Sequence, residues 1–450
     1  MTRLYAVVLA SLFAFAAKPQ TPSAAPTFNK DVLPILQKNC QECHRPGEVA
    51  PMSLLTYQDA RPWAKSIKAA VKTEKMPPWF MDIKYEGHFS NSRRLTQQQI
   101  DTLTAWADSG APEGDAKDKP APRAFVDGWN LKPDLVIEMP AAFQVQASGA
   151  IEYQYMRVKG NFPEDVWIES AEMRPENSSV VHHGEVWVIP PGSKWMEGAE
   201  YGVSYPMSKM PKVPSDDADV IGKYNPGVGA QNFKFGDSAK FIPKGSDIVF
   251  EIHYTPNGKV TSERTKVGMV LAKGPHTTRY FMSYGPGASN LVIPAGDGNA
   301  EVVGELTVTE PMTLVYAQPH MHLRGKDYEL RAIYPTGETE TFFKAKFDFN
   351  WQLGYYFDKP IPLPVGTRLI GISHFDNSAN NPFNPDPSKE IVWGLQNWEE
   401  MSNCFIGLVF DSKTEPKKIF KRSGYSTLKR VRGQAGPTLA SLEGATPGSK

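Results

Sequence analysis

Two cysteines and a histidine form the pattern Cys-x-x-Cys-His at residues 40–44. Thiols at this spacing can bond the vinyl groups of a haem, and the histidine after them can ligate the iron. A redox disulfide would need a thioredoxin-like context, and a zinc site would need a second cysteine pair. The chain has only three cysteines and no such second pair. The sequence therefore predicts a covalent haem c on Cys40 and Cys43, with His44 as an iron ligand.

The N-terminus predicts export. Arg3 gives a positive start, residues 4–15 are apolar, and small residues follow, which is the pattern of a cleaved signal peptide. We expect residues 1–17 to be this signal and the protein to be periplasmic or secreted, because c-type haem is attached outside the cytoplasm. The apolar run is too short to cross a bilayer, and no later segment is longer, so no integral membrane segment is expected.

Length, charge and composition set further limits. A chain of 450 residues is too long for one ordinary core, and 39 prolines with 36 glycines suit a turn-rich, all-β body. Basic and acidic residues both number 49. This balance argues against a nucleic-acid partner held by charge.

Residues 26–112 are predicted to form a small helical haem domain. Apolar residues recur at helical spacing just before Cys40, and Thr96 with Gln99 forms a capping box for a helix over residues 97–109. Two helices that flank a Cys-x-x-Cys-His site resemble a class I cytochrome c.

The sixth iron ligand is expected between these helices. Met76 precedes two prolines, which stiffen the loop, and its thioether is a known haem ligand. Met52, Met81 and His88 are the alternatives in the same interval. We predict Met76 as the ligand.

The rest of the chain is predicted to be a linker followed by strands. Residues 113–133 are polar and proline-rich, and residues 426–450 have the composition of a disordered tail. Between them we expect two all-β lobes, residues 134–288 and 289–425. The clearest strand patterns are residues 134–138, 151–158, 247–254, 368–375 and 404–410.

Histidines in this body have metal-ligand spacing. His320 and His322 are two residues apart, so on a strand both imidazoles would face one side. His182 and His183 are adjacent, and chelation by both needs a bulge or a strand end, which Gly184 would permit. Residue parity places His253 on the less apolar face of its strand. Taken singly, each histidine also fits an ordinary structural role.

In combination these motifs resemble the copper type II ascorbate-dependent monooxygenases, the family of peptidylglycine α-hydroxylating monooxygenase and dopamine β-monooxygenase. The resemblance covers about residues 130–415. It rests on four strings in the family's order, which lie at residues 181–183, 251–254, 319–325 and 399–403.

The resemblance implies two copper ions on two β-sandwich, jelly-roll-like lobes. One copper would be bound by His182, His183 and His253, and would pass electrons. The other would be bound by His320, His322 and Met401, and would react with O2 at a substrate C–H bond. A thioether is soft and favours Cu(I), and it argues against zinc.

Two departures from the family bear on the substrate. Gln318 and Phe405 stand where the peptide hydroxylase has an arginine and a tyrosine that hold a substrate carboxylate. An amide and a phenyl ring do not clamp a carboxylate as arginine does. Glycine-extended peptides are therefore not expected as substrates. The family's disulfides are also missing, since Cys404 has no partner once haem takes the other two cysteines.

The expected protein is a multidomain fusion of an all-α cytochrome c-like domain with an O2-using copper monooxygenase that acts on an unknown small molecule. The haem would relay electrons from an external donor, either an ascorbate-like reductant or a redox protein. The alternative is a haem and copper protein that transfers electrons or binds copper and hydroxylates nothing. The Asn- and Pro-rich stretch from His374 to Pro387 is read as a structural turn, with a further metal site as the alternative.

Overall fold

A computed structural model describes residues 25–125, 128–210 and 218–422. The predicted signal peptide, residues 1–17, and the predicted tail, residues 426–450, lie outside the described residues.

Helices are short and lie before the first strand, apart from single turns. A π-helical turn, Phe28–Val32, leads into the first α-helix. The α-helices are α1 Leu33–Asn39, α2 Tyr57–Ala60, α3 Ala64–Lys72 and α4 Gln97–Asp108. Single 3-10 turns occur at Arg61–Trp63, Ile83–His88, Ala116–Asp118, Ser178–Val180, Met207–Lys209 and Pro416–Lys418.

The remainder is built from strands. They are β1 Leu135–Glu138, β2 Phe143–Val145, β3 Gln154–Lys159, β4 Val166–Arg174, β5 Val181–Ile189, β6 Ser204–Pro206, β7 Asp219–Tyr224, β8 Gln231–Asn232, β9 Ser238–Ile242, β10 Asp247–Tyr254, β11 Thr261–Glu263, β12 Lys266–Leu271, β13 Thr278–Tyr284, β14 Val292–Ile293, β15 Ala300–Val308, β16 Met312–His320, β17 Gly325–Ile333, β18 Thr339–Lys346, β19 Tyr355–Leu363, β20 Arg368–Phe375, β21 Ile391–Val392, β22 Asn403–Asp411 and β23 Phe420–Arg422.

One long sheet runs through both halves of the β-body. Its order is β1-β12-β4-β9-β13-β22-β16-β19, with β8 added to β4. Among the described strands of this sheet only the β9–β13 pairing is parallel, and the antiparallel pairing of β13 with β22 joins the two halves. The two lobes therefore share one hydrogen-bonded sheet.

Each half of the shared sheet is covered by a smaller sheet. In the first lobe this is β6-β3-β10-β5-β7, and in the second it is β18-β17-β20-β15-β23. Each facing pair of sheets encloses its own apolar core. The coarse prediction of a mainly β body with sandwich-like lobes is confirmed.

Local sequence signals also agree with the structure. All five predicted strand segments overlap observed strands, namely β1, β3, β10, β20 and β22. The capping box of Thr96 and Gln99 is present at the start of α4. Six of the eight residues of β10 are buried, as expected for a strand between two neighbours, β3 and β5, that packs on a core.

The helical region has a small core of its own. Phe28 and Trp106 lie at its centre, with ring centroids 6.0 Å apart, so the first and last helical segments are in contact. The predicted linker packs along these helices, since the backbone N–H of Asn29 donates to Glu113 and the Gln37 amide donates to Ala121.

A self-contained all-α domain is nevertheless not evident. Trp79, Met81 and Phe89 belong to the apolar core of the second lobe. The backbone of the same segment is bonded to that lobe, for example from the Asp82 N–H to the Lys344 carbonyl at 2.9 Å. The fold of residues 26–112 as a class I cytochrome c therefore stays a prediction.

No helix among the described residues is long and apolar enough to span a membrane.

The Asn- and Pro-rich stretch is organised around a buried side chain. The Asn377 amide donates to the carbonyls of Pro294 and Lys389, both at 2.8 Å, and its oxygen accepts from Arg324 at 2.9 Å and Asn384 at 3.0 Å. Every polar atom of the Asn377 side chain is thus bonded within the protein. This supports the structural interpretation of the stretch.

His374, at the start of the stretch, makes a cross-strand pair. Its Nδ1 lies 2.6 Å from the Asp327 carboxylate on β17, which is directly opposite in the register. The carboxylate raises the pKa of His374, mainly by this hydrogen bond. The partner explains the residue without a metal.

Asn377→Ala should lower the free energy of unfolding by roughly 3 kcal/mol, because it leaves two carbonyls and the Arg324 guanidinium short of partners in a buried place. Asn380→Ala is the matched control, since Asn380 is exposed in the same stretch. Urea unfolding of the two variants measures the difference. Equal midpoints would contradict the structural role.

Candidate metal centres

Three histidines meet where β5 and β10 lie side by side. One ring nitrogen from each of His182, His183 and His253 lies within 4.8 Å of the other two. His183 and His253 are directly opposite in the register. Three imidazoles at such separations can bind one metal ion.

A bulge brings the adjacent histidines to the same side. His253 pairs with His183, but the next residue, Tyr254, pairs with Val181, so His182 is an extra residue in β5. Neighbouring side chains on a regular strand point to opposite faces, and a bulge re-aims one of them. The sequence predicted a bulge or strand end here, and the structure has a bulge, centred on His182 rather than on Gly184.

Tyr153 orients two of the three imidazoles. Its hydroxyl lies 2.7 Å from Nε2 of His183, and its ring stacks on His253 at 4.6 Å. This leaves Nδ1 of His183 free to face Nδ1 of His182, 2.8 Å away. Nδ1 of His253 is buried and has no hydrogen-bond partner. A buried nitrogen without a partner, close to a ring nitrogen of each of the other two histidines, fits a metal ligand set.

Burial keeps these imidazoles neutral. It lowers the pKa of His182 and of His253 to about 4, and for His253 the neighbouring His182 adds to the effect. The pKa of His183 is also lowered, first by burial and then by the other histidines. A neutral imidazole has a lone pair for a metal at pH 7.

The second pair of histidines lies at the end of β16. His320 is the last residue of the strand and His322 lies just beyond it, with ring centroids 5.4 Å apart. Nδ1 of His320 lies 2.6 Å from the Gln352 side-chain oxygen, to which it donates, so Nε2 stays available. Both ring nitrogens of buried His322 lack a hydrogen-bond partner.

Burial affects this pair in the same way. It lowers the pKa of His320 to about 4, against the effect of the Gln352 hydrogen bond. It lowers the pKa of His322 to about 3, with His320 adding to the effect and the nearby carbonyls of Glu399 and Gln396 opposing it. These two imidazoles are therefore also neutral at pH 7.

Glu400 connects this pair to Met401. Its buried carboxylate accepts the backbone N–H of His322 at 2.8 Å and that of Arg324 at 2.7 Å. Burial raises the pKa of Glu400 to about 8, against the effect of these donors. Met401, the next residue, lines the same cavity as His320. The carboxylate thus holds the methionine segment against the histidine segment.

One cavity of about 60 Å³ lies between the two candidate sites, and His183, His320 and Met401 all line it. Its wall also includes Glu185 and Lys223, which form a buried ion pair at 2.8 Å. Sequence reasoning missed this pair. Strand parity places Glu185 on the face of His183, but no sequence pattern indicated Lys223.

The two positions that differ from the monooxygenase family behave differently. Gln318 is buried, and its amide donates to the Gln352 carbonyl at 2.7 Å, so it braces the loop that holds His320. Phe405 lines the cavity, and the Lys223 ammonium lies 2.9 Å from its ring centroid. The cation nearest this ring is therefore supplied by β7.

A separate cavity of about 260 Å³ lies at the Cys-x-x-Cys-His segment. Cys40, Cys43, His44 and Met76 all line it. Nδ1 of His44 lies 3.3 Å from the Met52 carbonyl, so Nε2 remains available for an iron. The donor set and the thiols thus fit a covalently attached haem.

The alternatives to Met76 lie elsewhere. Met52 contributes its backbone carbonyl to His44, and its side chain is not part of the cavity wall. Met81 is buried in the core of the second lobe, and His88 is exposed. Met76 alone of the four candidates lines the cavity.

Comparison with known proteins adds little. No family model and no curated protein matches the chain. Solved structures that align include the VP2 subviral particle of infectious bursal disease virus, with 9% identity over 65% of this chain and 77% of that chain and a TM-score of 0.19. PBCV-1 VP54, fitted into a reconstruction of the virophage Sputnik, aligns with 6% identity over 66% of this chain and 98% of that chain, with a TM-score of 0.23. A Paenibacillus xanthan lyase aligns with 11% identity over 62% of this chain and 26% of that chain, with a TM-score of 0.18. Such scores support no conclusion about fold or function.

Tyr153→Phe should weaken copper binding at the three-histidine site on the order of 10- to 100-fold, as is usual when an outer partner of a metal ligand is lost. The phenyl ring keeps the stacking on His253 and removes only the bond to His183. Tyr155→Phe is the control, because that hydroxyl bonds to Glu251 at 3.1 Å instead. Competition titrations with a copper chelator test this, and equal affinities would contradict it.

Proposed function

We propose that this protein is an exported, copper-dependent monooxygenase that hydroxylates a C–H bond of a small molecule, with a covalent haem c as electron relay. The observation that carries the proposal is that two groups of buried, neutral histidines lie beside one cavity, which His183 of one group and His320 of the other line. The second part is supported by Cys40, Cys43, His44 and Met76, which line one cavity of the same chain.

The two copper sites are assigned by their donors. His182, His183 and His253 offer three imidazoles, which suit copper in both oxidation states, and His320, His322 and Met401 add a soft thioether that favours Cu(I). Copper, when bound, supplies one-electron transfer and a binding place for O2. The chain itself orients the ligands through Tyr153, Gln352 and Glu400.

The reaction balances with an external reductant. One C–H bond and O2, with two electrons and two protons, give one C–O–H group and one water. An ascorbate-like reductant or a redox protein would supply the electrons. Cys40 and Cys43 would hold the haem and His44 and Met76 would ligate its iron, and a haem held there would supply one-electron relay.

The sequence resemblance to the copper type II monooxygenases supports this assignment. The two sandwich-like lobes agree with the coarse fold that the resemblance implies. The substrate differs from a glycine-extended peptide, because Gln318 is engaged in bracing a loop and Lys223 is paired with Glu185. Neither residue is a free carboxylate clamp.

One observation favours a second candidate function. The cavity between the two sites has a volume of only about 60 Å³, which is small for an organic substrate. A protein that uses the same ligands for electron transfer or copper binding would need no larger space.

The purified protein should contain two coppers and one iron, and the reduced protein should consume O2 when a true substrate is present. His253→Ala and His320→Ala should each lose one copper by elemental analysis, because each removes a ligand from a different site. Mass spectrometry of a compound panel should reveal a product heavier by one oxygen. Two coppers without any substrate-dependent O2 uptake would favour electron transfer, and iron alone would exclude both functions.

Met76→Ala should abolish the red-edge absorption band of methionine-ligated haem while the haem stays attached through the two thioethers. Haem staining after denaturing electrophoresis and the visible spectrum measure the two effects. Met52→Ala is the control and should keep the band, since its side chain is outside the cavity wall. Loss of the band in the control alone would show that the ligand is misassigned.

A further inference from the structure

Four consecutive residues of one loop touch all three candidate cofactor sites. The loop joins β18 to β19, and Phe349 and Gln352 lie at the ends of the four-residue segment. The Phe349 ring stacks on His182 at 4.7 Å and stands edge-on to His322 at 6.5 Å. Gln352 accepts the hydrogen bond of His320.

The two middle residues face the other way. Asn350 and Trp351 line the cavity that holds Cys40, His44 and Met76. Asn350 is therefore the chain neighbour of Phe349, which contacts both histidine clusters. Trp351 is the neighbour of Gln352, which contacts His320.

The segment is held in one conformation. The backbone N–H of Trp351 donates to the Asp348 carbonyl at 2.9 Å, and the Gln352 carbonyl accepts from Gln318 at 2.7 Å. Gly227 packs closely on Trp351, since a Cβ there would lie 3.1 Å from the indole, and its φ is +82°. The position of the indole is thus fixed from the first lobe as well.

We infer that Phe349–Trp351–Gln352 is the electron-transfer contact between the haem cavity and the two histidine clusters. The inference rests on the proposed function and concerns the path that electrons would take inside the protein. Each transfer moves one electron and no atom, so the haem iron is oxidised by one unit and a copper is reduced by one. Covalent bonds and ring contacts carry electrons better than gaps of the same length, and the Phe349 ring stacks directly on His182 at 4.7 Å.

A parallel contact provides a competing route and therefore a control. Asn225 lines the cavity between the histidine clusters, and its neighbour Pro226 lines the haem cavity. Asn225 has no aromatic ring that could stack on a histidine. If this contact carried the electrons, its truncation would slow the transfer as much as truncation of Phe349.

The experiment uses the full chain loaded with haem and copper. The haem is reduced by a light flash in the absence of O2, and its reoxidation is followed by absorption while the Cu(II) EPR signal decays. Phe349→Leu should slow this step on the order of tenfold, the scale seen when outer partners of a metal site are removed. Phe349→Tyr should retain the parental rate, because it keeps the ring.

Further measurements separate the route from stability and from the proposed function. Metal content, the haem spectrum and the Cu(II) EPR parameters should be unchanged in Phe349→Leu, and Trp351→Leu should slow the transfer as well. A parental rate in Phe349→Leu, or equal slowing by Asn225→Ala, would overturn the inference. A loaded parent that shows no transfer would overturn it too, while O2 uptake with an external reductant would leave the monooxygenase proposal intact. Absence of copper would instead refute the proposed function.

Discussion

The antiparallel pairing of β13 with β22 determines how the rest of the molecule is arranged. It joins the two lobes, each of which buries its own core, into one sheet. Met401 lies just before β22 and His320 ends β16 of this sheet, whereas His182, His183 and His253 lie on β5 and β10 of the sheet that covers the first lobe. The small cavity between them follows from a hydrogen-bonded connection rather than from a flexible hinge.

Burial then gives the histidines their chemistry. Removal from water lowers the pKa of every imidazole in the two clusters. The rings are therefore neutral, and each keeps a nitrogen lone pair that a metal could use. Buried groups of this kind require partners, and Tyr153, Gln352 and Glu400 satisfy some of the nitrogens and backbone groups while others remain open. The open nitrogens are the physical basis for assigning metal sites.

Much of this could be predicted from the sequence, because it depends on local signals. Strand parity placed His253, and the adjacency of His182 and His183 required an irregular strand, which is present as a bulge. Two features depended on long-range packing and had no local signal. They are the insertion of Trp79 and Phe89 into the second lobe, and the position of Lys223 over Phe405. The HxH motif also extends beyond its strand, since Glu400 holds His322 from a distant segment.

The N-terminal region is packed against the β-body and is not joined to it by the linker alone. A haem domain on a flexible linker would meet its partner at an effective concentration set by linker length. Here Glu48 and Arg174 form an ion pair at 2.7 Å with the first lobe, and the Ser90 N–H donates to Tyr356 of the second. Pro226 of the first lobe and Asn350 and Trp351 of the second also line the cavity at His44. Its distance from the histidine clusters is set by the fold, so electron transfer between them would be governed by the contacts of the Phe349 segment and not by diffusion of a tethered domain.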